Sequence, residues 1–494
     1  MADEIPREIE LKLAFRPRDR RRLEQELSGS VSPPQRLVST YFDTSDRRLA
    51  EHGLSLRVRR NGVGRIQTLK ALDRGPAAAA ERNEWEWRIA GDRPEPALLA
   101  ETPFAGLLDD SSLLVPRFRT EVDRSVHLLK PAKRIRIEAA LDDGLIIAGE
   151  RQEALHELEL ELKRGRRDAL YDFALRLNEI VPLTFATESK FDRGEALKTG
   201  QAAGAAKTAT PELGREMPVD RAVKIVLVTA LGGLLANLAP TLQGGVEGLH
   251  QLRVSLRRLR ADLVLFKPLL DTDQARRAND ALRRMGRILG DARDWDVFAL
   301  ETLPTIAAKG RTWPHLLLQP AEIKRKAVRA TVEDILLGPE LTALVLSLAA
   351  WIERGLSADD GPVRRVAAGL LDRVARKARK RGKHLRRLDG PELHAVRKSM
   401  KKLRYAVAAL APLFDKRDVA RYLDDCKSLQ KLLGRINDAA AAERLAAETV
   451  SPQRKDLQGP KLSLEKWVRG RQRRAQGKLG DAWSDFRAAR PFWR

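Results

Sequence analysis

Two segments near the ends of the first 195 residues carry an acidic side chain at every second position, and each row ends in a lysine. Residues 8–12 read Glu-Ile-Glu-Leu-Lys, and residues 157–163 read Glu-Leu-Glu-Leu-Glu-Leu-Lys. Because side chains alternate between the two faces of a strand, each segment predicts a strand with one charged and one apolar face. Neighbouring carboxylates repel each other unless a cation neutralises them, so the two rows indicate a bound divalent cation.

Basic side chains with the same spacing lie between the acidic rows. Arg57 and Arg59 share one face of a predicted strand, and Arg117 and Arg119 share another. If these strands close into a barrel with the charged phase inward, the lumen holds carboxylates for a metal ion and guanidinium groups for a highly charged anion. For a single strand, a charged face in solvent is the more common arrangement. The inward arrangement therefore requires helices over the outer face, and segments 17–27, 95–108 and 166–179 are candidates.

The order and spacing of these motifs resemble the CYTH domain of the triphosphate tunnel metalloenzymes over about residues 5–195. Besides the two acidic rows, the resemblance rests on the following motifs: Tyr41-Phe42-Asp43-Thr44, Arg57-x-Arg59, Lys70, Glu84-x-Glu86 and Ser189-Lys190-x-x-Arg193-Gly194. The resemblance implies an eight-stranded antiparallel β tunnel with flanking helices. It also implies binding, and often hydrolysis, of a triphosphate with Mg2+ or Mn2+.

The resemblance assigns roles to particular residues of this chain. The implied metal ligands are Glu8, Glu10, Glu159 and Glu161, with Glu157 as a further candidate. The implied phosphate-binding residues are Lys12, Arg57, Arg59, Lys70, Arg136, Lys190 and Arg193. We expect Glu8, Glu10 and Lys12 to form the catalytic group, while the residue that orients the attacking water stays open.

Charge divides the 494 residues into two parts. Residues 1–200 contain 35 basic and 35 acidic side chains, whereas the remainder holds 57 basic and 33 acidic ones and so carries the entire net charge of +24. We predict an α+β chain with a tunnel domain at 1–197, a linker at 198–215 and an all-α domain at 216–494. The helical part is expected to form two pseudo-symmetric four-helix bundles, at roughly 216–345 and 360–494.

A repeat with an offset of 144 residues supports the two helical halves. The first basic quartet and its counterpart are His250, Arg253, Arg257 and Arg260, and His394, Arg397, Lys401 and Arg404. The spacing of three, four and three residues keeps each quartet on one helical face. A cationic stripe is most often solvent-facing, but two duplicated stripes headed by histidine favour an anion-binding groove.

The second part resembles the CHAD domain over about residues 216–490, on the motifs Val-Glu-Gly-Leu-His-Gln-Leu-Arg-Val, Arg-Asp-Trp-Asp-Val and Leu-His-Ala-Val-Arg-Lys. The resemblance implies binding of inorganic polyphosphate by the two quartets. Each histidine can cap a helix, donate to phosphate or ligate a metal, and the absence of a second ligand at i+4 makes metal the least favoured role. Residues 445–494 match little of the pattern.

Three classes of function follow from these features. The first is metal-dependent hydrolysis of inorganic triphosphate beside a polyphosphate-binding domain, and the alternative is a non-catalytic polyphosphate-binding or granule-associated protein. Nucleic-acid binding fits the sequence pI of about 10.3, but Tyr405 and Tyr422 are the only aromatic residues near the basic stripes, and few platforms for stacking bases are available. Cys426 is the single cysteine and the apolar stretch 225–242 reads as a buried helix, so we expect a cytoplasmic protein without a membrane partner.

Overall fold

The computed structural model describes all residues except 1–7, 28, 63, 72–79, 109–112, 202–203, 357–360 and 452, together with the side chains of 8, 80–82 and 272. Within these ranges the first 200 residues form one antiparallel sheet with short helices, and the later residues are helical. This arrangement confirms the α+β class.

The sheet contains eleven strands. They are β1 (Glu8–Ala14), β2 (Ser30–Val31), β3 (Gln35–Thr44), β4 (Leu54–Asn61), β5 (Gly64–Ala71), β6 (Ala80–Arg82), β7 (Glu84–Arg88), β8 (Leu114–Ala132), β9 (Ile135–Ala148), β10 (Arg151–Arg164) and β11 (Thr184–Phe185). The predicted number of eight is therefore wrong for the described part of the chain. The difference comes from β2, β6 and β11, which have two or three residues each and extend the sheet locally.

Backbone pairing closes this sheet. The hydrogen-bonded order is β1, β10, β9, β8, β3, β4, β5 and β7, with β11 paired to the other edge of β1. Asn83 alone separates β6 from β7, and β6 pairs with β1 whereas β7 pairs with β5. The break at Asn83 thus lets one segment bridge the two ends of the row, so the strands enclose a lumen.

The alternating pattern of the acidic strands follows from this closure. Leu11, Leu13, Leu158 and Leu160 are fully buried on the outer phase of β1 and β10. Helix Arg167–Ile180 packs against β10 and buries Leu170, Ala174 and Leu177 on one face. Because helices cover the outer phase, the charged phase is left to face the lumen.

Sixteen α-helices lie in the described ranges. They are α1 (Arg20–Glu26), α2 (Arg48–Glu51), α3 (Arg167–Ile180), α4 (Lys190–Thr199), α5 (Val219–Leu235), α6 (Leu238–Leu242), α7 (Val246–Leu265), α8 (Thr272–Val297), α9 (Leu303–Ala307), α10 (Pro314–Leu336), α11 (Pro339–Arg354), α12 (Arg364–Arg381), α13 (Gly390–Leu410), α14 (Lys416–Thr449), α15 (Lys455–Gly477) and α16 (Leu479–Ala488). Short 3-10 helices and one π-helix, Phe298–Thr302, join them.

The chain forms two compact units that interleave in sequence. The first contains Met1–Ala206, Leu235–Gly248 and Leu336–Arg354, and the second contains Lys207–Leu234, Leu249–Ile335 and Gly355–Arg494. Within the first unit α11 packs against α3, where Thr342 donates to the Leu183 carbonyl at 2.7 Å. The domain boundaries and the two four-helix bundles stay predictions.

One continuous apolar stretch, Val219–Leu242, is long and hydrophobic enough to cross a membrane by length and composition. In the structure 72% of its most apolar window is buried inside the protein. The prediction of a buried helix there is confirmed. A kinked pair, Pro314–Leu336 with Pro339–Arg354, passes the same test only if both helices count as one span.

The carboxyl group of Asp262 lies in the helical core. It is fully buried on α7, and its two oxygens accept no hydrogen bond from the described residues. Burial raises the pKa of Asp262 well above its usual value, although the Arg258 charge acts in the opposite direction. Asp262 is thus protonated in the folded protein at pH values where it ionises in the unfolded chain.

We expect Asp262→Asn to raise the free energy of unfolding at pH 8 by about 1 to 2 kcal/mol. The folded pKa is the higher one, so the stability given by the protonated acid is complete below pH 3.8 and is lost as the pH rises. The gain from the substitution should therefore shrink between pH 8 and pH 5. Urea unfolding at both pH values measures it, with the exposed Asp424→Asn as control; equal gains at both pH values would contradict the prediction.

Candidate active site and anion pocket

The lumen of the sheet is a cavity of about 460 Å3. Charged side chains from seven of the eleven strands and from α4 line it. They are Glu10, Lys12, Arg57, Arg59, Lys70, Glu84, Glu86, Arg124, Glu138, Asp142, Glu159, Glu161, Lys163 and Lys190. The cavity therefore holds both signs of charge, as the sequence predicts for the two kinds of row.

Three carboxylates form a row across neighbouring strands. In the strand register Glu161 of β10 lies directly opposite Glu10 of β1 on one side and Glu138 of β9 on the other. Lys12 approaches Glu10 at 3.3 Å, and Lys163 approaches Glu161 at 2.5 Å and Glu138 at 3.7 Å. Like charges at directly opposite positions destabilise a sheet, so this row favours a further cation.

A second group of carboxylates lies deeper in the wall. Asp142, Glu157 and Glu159 each place one oxygen within 4.8 Å of the others, a spacing that could hold a metal ion. The ammonium group of Lys190 lies among them, at 2.9, 2.9 and 2.7 Å from the respective carboxylates. Burial by itself lowers the pKa of Lys190, but these three carboxylates outweigh it and raise the pKa well above its usual value.

Arg124 of β8 completes this network. Its guanidinium donates two hydrogen bonds of 2.7 Å to Asp142 and one more to Glu159. Burial would raise the pKa of Glu159, but Arg124, Lys12 and Lys190 hold it well below the usual range. Glu159 therefore stays ionised inside the wall of the lumen.

The opposite wall, on β4 and β5, is basic. Lys70 pairs with Glu84 at 2.5 Å, and Arg57 lies 3.5 Å from the same carboxylate. Arg59 has no carboxylate within 4 Å among the described residues, and Arg57, burial and Arg124 together lower its pKa to about 10. Arg57, Arg59 and Lys70 outnumber the two lining carboxylates of the neighbouring β7, Glu84 and Glu86, so this wall attracts an anion.

Helix α4 places Lys190 in the cavity. Ser189 caps the helix by accepting from the Asp192 amide, and Asp192 in turn accepts from the Ser189 amide. Gly194 lets the helix approach the barrel, because a Cβ at this position would lie 2.1 Å from the Phe118 ring. Thus the Ser-Lys-x-x-Arg-Gly motif is explained by local geometry as well as by charge.

The Tyr-Phe-Asp-Thr stretch has a different part. Tyr41 lines the cavity and its ring stacks on Phe118 at 4.5 Å. Asp43 is buried, and its carboxylate accepts hydrogen bonds of 2.7 to 3.0 Å from the amides of Thr44, Leu49 and Ala50. Asp43 therefore fixes the turn into α2.

The remaining predicted tunnel residues lie elsewhere. Glu8 is on β1, but its side chain is outside the described residues. Arg193 pairs with Glu153 and with the buried Glu157 on the far side of Lys190. Arg136 donates to the carbonyl of its neighbour, Ile135. Glu157, Arg193 and Arg136 are not among the described residues that line the lumen, and their roles stay predictions.

On β8 the predicted inward phase is wrong. Arg117 binds Glu195 of α4 with bonds of 3.0 and 3.1 Å, and Arg119 is 54% exposed beside Glu121. Thr120, Val122 and Arg124 face the lumen instead. The sequence gives no basic pair at Arg124, and charges on both phases of this 19-residue strand left the inward phase undecided. Arg124 was missed as a site residue for this reason, and Glu138 and Asp142 of β9, which also line the lumen, were not among the predicted site residues.

A second cavity, of about 270 Å3, lies within the second compact unit, named here the helical unit. We call this cavity the helical pocket. Its charged and histidine lining residues are His250, Arg253, Arg257, Arg293, Asp294, Glu301, Arg397, Lys401 and Asp438. Both predicted basic stripes thus meet in one cavity, one from α7 and one from α13.

The repeat is visible in the contacts of this pocket. Arg253 of α7 pairs with Asp294 of α8 at 3.3 Å, and Arg397 of α13 lies 4.0 Å from Asp438 of α14. Burial and the charges of Arg257, Arg397 and Arg253 lower the pKa of Lys401 to about 6. The cations of the pocket therefore lie close enough together to favour the neutral form of Lys401 above about pH 6.

Three of the eight predicted helical residues contact neighbouring groups rather than line the pocket. Nδ1 of His394 lies 2.7 Å from Asn437, which does line it. Arg260 donates to Asn279 at 3.2 Å, and Arg404 lies over the Tyr405 ring at 5.4 Å. Arg293 was missed, because its own repeat partner at position 437 is an asparagine and gives no duplicated basic signal.

Comparison with known families follows the same division of the chain. The family model of the CYTH domain matches residues 6–194, and that of the CHAD domain matches residues 226–447. The chain is a CYTH–CHAD protein. Both resemblances drawn from the sequence are confirmed.

Similar proteins are known for one part or for most of this CYTH–CHAD chain. The inorganic triphosphatase of Haemophilus influenzae is 35% identical over 199 residues, which are 39% of this chain and 56% of that protein. The chain thus spans little more than half of that relative. An uncharacterized protein of Mycobacterium tuberculosis is 25% identical over 450 residues, 85% of this chain and 83% of its own.

Among solved structures, the CHAD domain from the plant Ricinus communis superposes with a TM-score of 0.53 and 26% sequence identity. The superposition covers 58% of this chain and 98% of the plant domain. This likeness supports the helical architecture of the second part.

Replacement of Lys190 by methionine should destabilise the protein by about 3 to 5 kcal/mol, because three buried carboxylates lose a shared cation. The free energy of urea-induced unfolding at pH 7.5 measures the loss. Arg119→Met, which removes an exposed ion pair on the outer face, is the matched control and should cost less than about 1 kcal/mol. Equal losses for both variants would show that Lys190 does not neutralise the wall.

Proposed function

We propose that the CYTH domain hydrolyses inorganic triphosphate to pyrophosphate and phosphate with Mg2+ or Mn2+, and that the helical domain binds inorganic polyphosphate. The observation that carries the proposal is the division of one lumen into an acidic row and a basic wall. Glu10, Glu161 and Glu138 make the row, and Arg57 and Arg59 lie on the wall. A metal–triphosphate complex is complementary to this lumen, because its cation would bind the acidic row and its phosphates the basic wall.

The acidic row fits a hard divalent cation by its chemistry. Mg2+ in proteins takes a few carboxylates and leaves other positions to phosphate and water. Glu10, Glu161 and Glu138 would hold it, and Glu159 is the next carboxylate along β10. When bound, such an ion neutralises phosphate charge and lowers the pKa of coordinated water. The deeper group of Asp142, Glu157 and Glu159 already has the Lys190 ammonium among its oxygens, so we assign the metal to the acidic row.

The basic wall supplies positioning. Arg59 presents a guanidinium without a carboxylate partner among the described residues, and Arg57 and Lys70 share Glu84. Guanidinium groups bind phosphate oxygens through paired N–H donors, and phosphoryl transfer depends mainly on positioning and charge neutralisation. Lys12 stays protonated between Glu10 and Glu159: burial lowers its pKa, but the two carboxylates outweigh burial and raise it. Lys12 therefore acts as a cation rather than as a base.

The helical pocket supports the second half of the proposal. Its arginines come from both repeats, and Asp294, Asp438 and Glu301 balance only part of their charge. A flexible polyanion would relieve the repulsion that lowers the pKa of Lys401. The relative from Haemophilus is an inorganic triphosphatase, and this chain would add a polyphosphate site to that activity. We expect the protein in the cytoplasm, with polyphosphate granules as a further location.

Full-length protein should release phosphate from tripolyphosphate in Mg2+ or Mn2+ and release none in EDTA. Glu10→Gln with Glu161→Gln should lower this rate by at least about a hundredfold, because two of the three carboxylates of the row are lost. Arg119→Gln, on the outer face, should keep the parental rate. Phosphate release from tripolyphosphate, ATP and long-chain polyphosphate is measured in parallel.

Two outcomes would contradict the proposed reaction. Unchanged hydrolysis in the double variant would remove the acidic row from the mechanism. Absence of release from every substrate, with tight polyphosphate binding retained, would make the protein a binding or granule-associated protein.

Binding of polyphosphate in the helical pocket should take up a proton on Lys401. The pKa of Lys401 is about 6 in the pocket without anion, and a bound polyanion raises it, so affinity should fall as the pH rises above 6, by at most about tenfold per unit. Calorimetry at pH 7.5 in buffers with different ionisation heats measures the uptake. Lys401→Met should abolish it, whereas Lys398→Met, on the same helix outside the pocket lining, should leave it; equal uptake in both variants would assign the proton elsewhere.

A further inference from the structure

A third concavity, of about 350 Å3, lies in the helical unit and shares no lining residue with the helical pocket. We call it the C-terminal pocket. Its lining residues are Lys309, Arg435, Trp467, Arg471, Arg474, Ala475 and Lys478. Five of these seven are basic, and none of them is acidic.

Helix α15 provides most of the C-terminal pocket. Trp467, Arg471 and Arg474 follow at intervals of four and three residues, which keeps them on one helical face, and Lys478 directly follows the helix. Leu464, Val468 and Ala475 are buried on the neighbouring face and pack α15 against α14. The basic side chains therefore project from a fixed helix, in a segment that follows the end of the CHAD family match at residue 447.

Two other arginines, one on α15 and one at its N-terminal end, have carboxylate partners. Arg469 pairs with Glu443 and Glu465 at 3.5 and 3.3 Å, and Arg454 pairs with Asp456 at 2.7 Å. By contrast, none of Lys309, Arg435, Arg471, Arg474 and Lys478 lies within 4 Å of a carboxylate in the described part of the chain. Like charges gathered in a concavity repel one another, and a bound anion offsets that repulsion.

The aromatic residue of the pocket helps to choose the anion. The Arg471 guanidinium lies 4.7 Å from the centre of the Trp467 ring, and Trp467 packs against the helical core. Stacking holds the planar guanidinium in place and leaves its N–H edge available for phosphate oxygens. The same contact covers a face of the ring, the only aromatic ring among the lining residues described, so a nucleic-acid base has no comparable platform.

We infer that the C-terminal pocket is a second phosphoanhydride site, which binds either free pyrophosphate or a segment of a polyphosphate chain. The choice of phosphoanhydride rests on the proposed function, whereas the anion site itself rests on the five unpaired cations. Arg435 precedes Asp438 of the helical pocket by three residues, roughly 4.5 Å along α14. One long polyanion therefore has basic groups available in both pockets, which adjoin the same helix α14.

The test uses full-length protein in EDTA with the helical pocket disabled by Arg257→Gln and Lys401→Gln. In this background, Arg471→Gln with Arg474→Gln should weaken binding of long-chain polyphosphate by at least about tenfold, because two charged donors are lost. Arg454→Gln with Arg469→Gln removes the same net charge from paired arginines. This control should weaken binding by less than about threefold. Isothermal titration calorimetry gives both affinities.

The outcomes separate this site from the proposed function. Equal weakening by both variant pairs would reduce the C-terminal pocket to a contribution of net charge and overturn the inference, as would no weakening at all. If the background substitutions alone leave affinity unchanged and Arg471→Gln with Arg474→Gln lowers it, the helical pocket fails and the C-terminal pocket stands. The opposite pattern removes the C-terminal pocket alone.

Two further titrations identify the ligand. If pyrophosphate binds and loses one site in Arg471→Gln with Arg474→Gln, the pocket takes the free diphosphate. If only long-chain polyphosphate shows the loss, the pocket takes a chain segment, and both results support the inference. Tighter binding of single-stranded RNA than of polyphosphate at the same salt concentration would overturn it.

Discussion

The first unit depends on one constraint: carboxylates that are buried together must have cations buried beside them. Asp142, Glu157 and Glu159 are buried in one wall, and the Lys190 ammonium contacts all three at 2.7 to 2.9 Å. Lys190 reaches them because Ser189 and Asp192 cap α4 and because Gly194 lets that helix approach Phe118. Helix capping, close packing and charge compensation are thus one arrangement. The acidic row of Glu10, Glu161 and Glu138 has fewer neighbouring cations than this buried group, which favours a metal ion there.

The helical unit handles charge differently. Its basic residues are arranged by a repeat of 144 positions, and the pairing of Arg253 with Asp294 recurs in Arg397 and Asp438. Each half alone would present an ordinary amphipathic helix with a basic stripe. Together the two stripes line a single cavity, in which Lys401 loses most of its tendency to hold a proton. The cost of this repulsion is what an incoming polyanion would remove, and the same reasoning extends to the five cations around Trp467.

Sequence patterns predicted some of these features for a clear physical reason. The two-residue alternation in 8–12 and 157–163 specifies strands with a charged face, and β1 and β10 confirm them. The three- and four-residue spacing of Arg253, Arg257, Arg397 and Lys401 specifies helix faces, which depend on local geometry alone. Where both phases of a strand carry charge, as on β8, alternation has no preferred solution, and Arg124 was overlooked in favour of Arg117 and Arg119.

The sequence by itself determined the α+β class, the two resemblances, the buried helix within 219–242 and the types of charged group available for a metal and a phosphate. Only the tertiary structure decided which of these groups meet. Strand register placed Glu138 opposite Glu161, closure through Asn83 completed the lumen, and packing of α15 gathered its cations with Arg435 and Lys309. The physical reason is that side-chain phase and helical face are local properties, whereas register and packing depend on contacts between residues far apart in the chain.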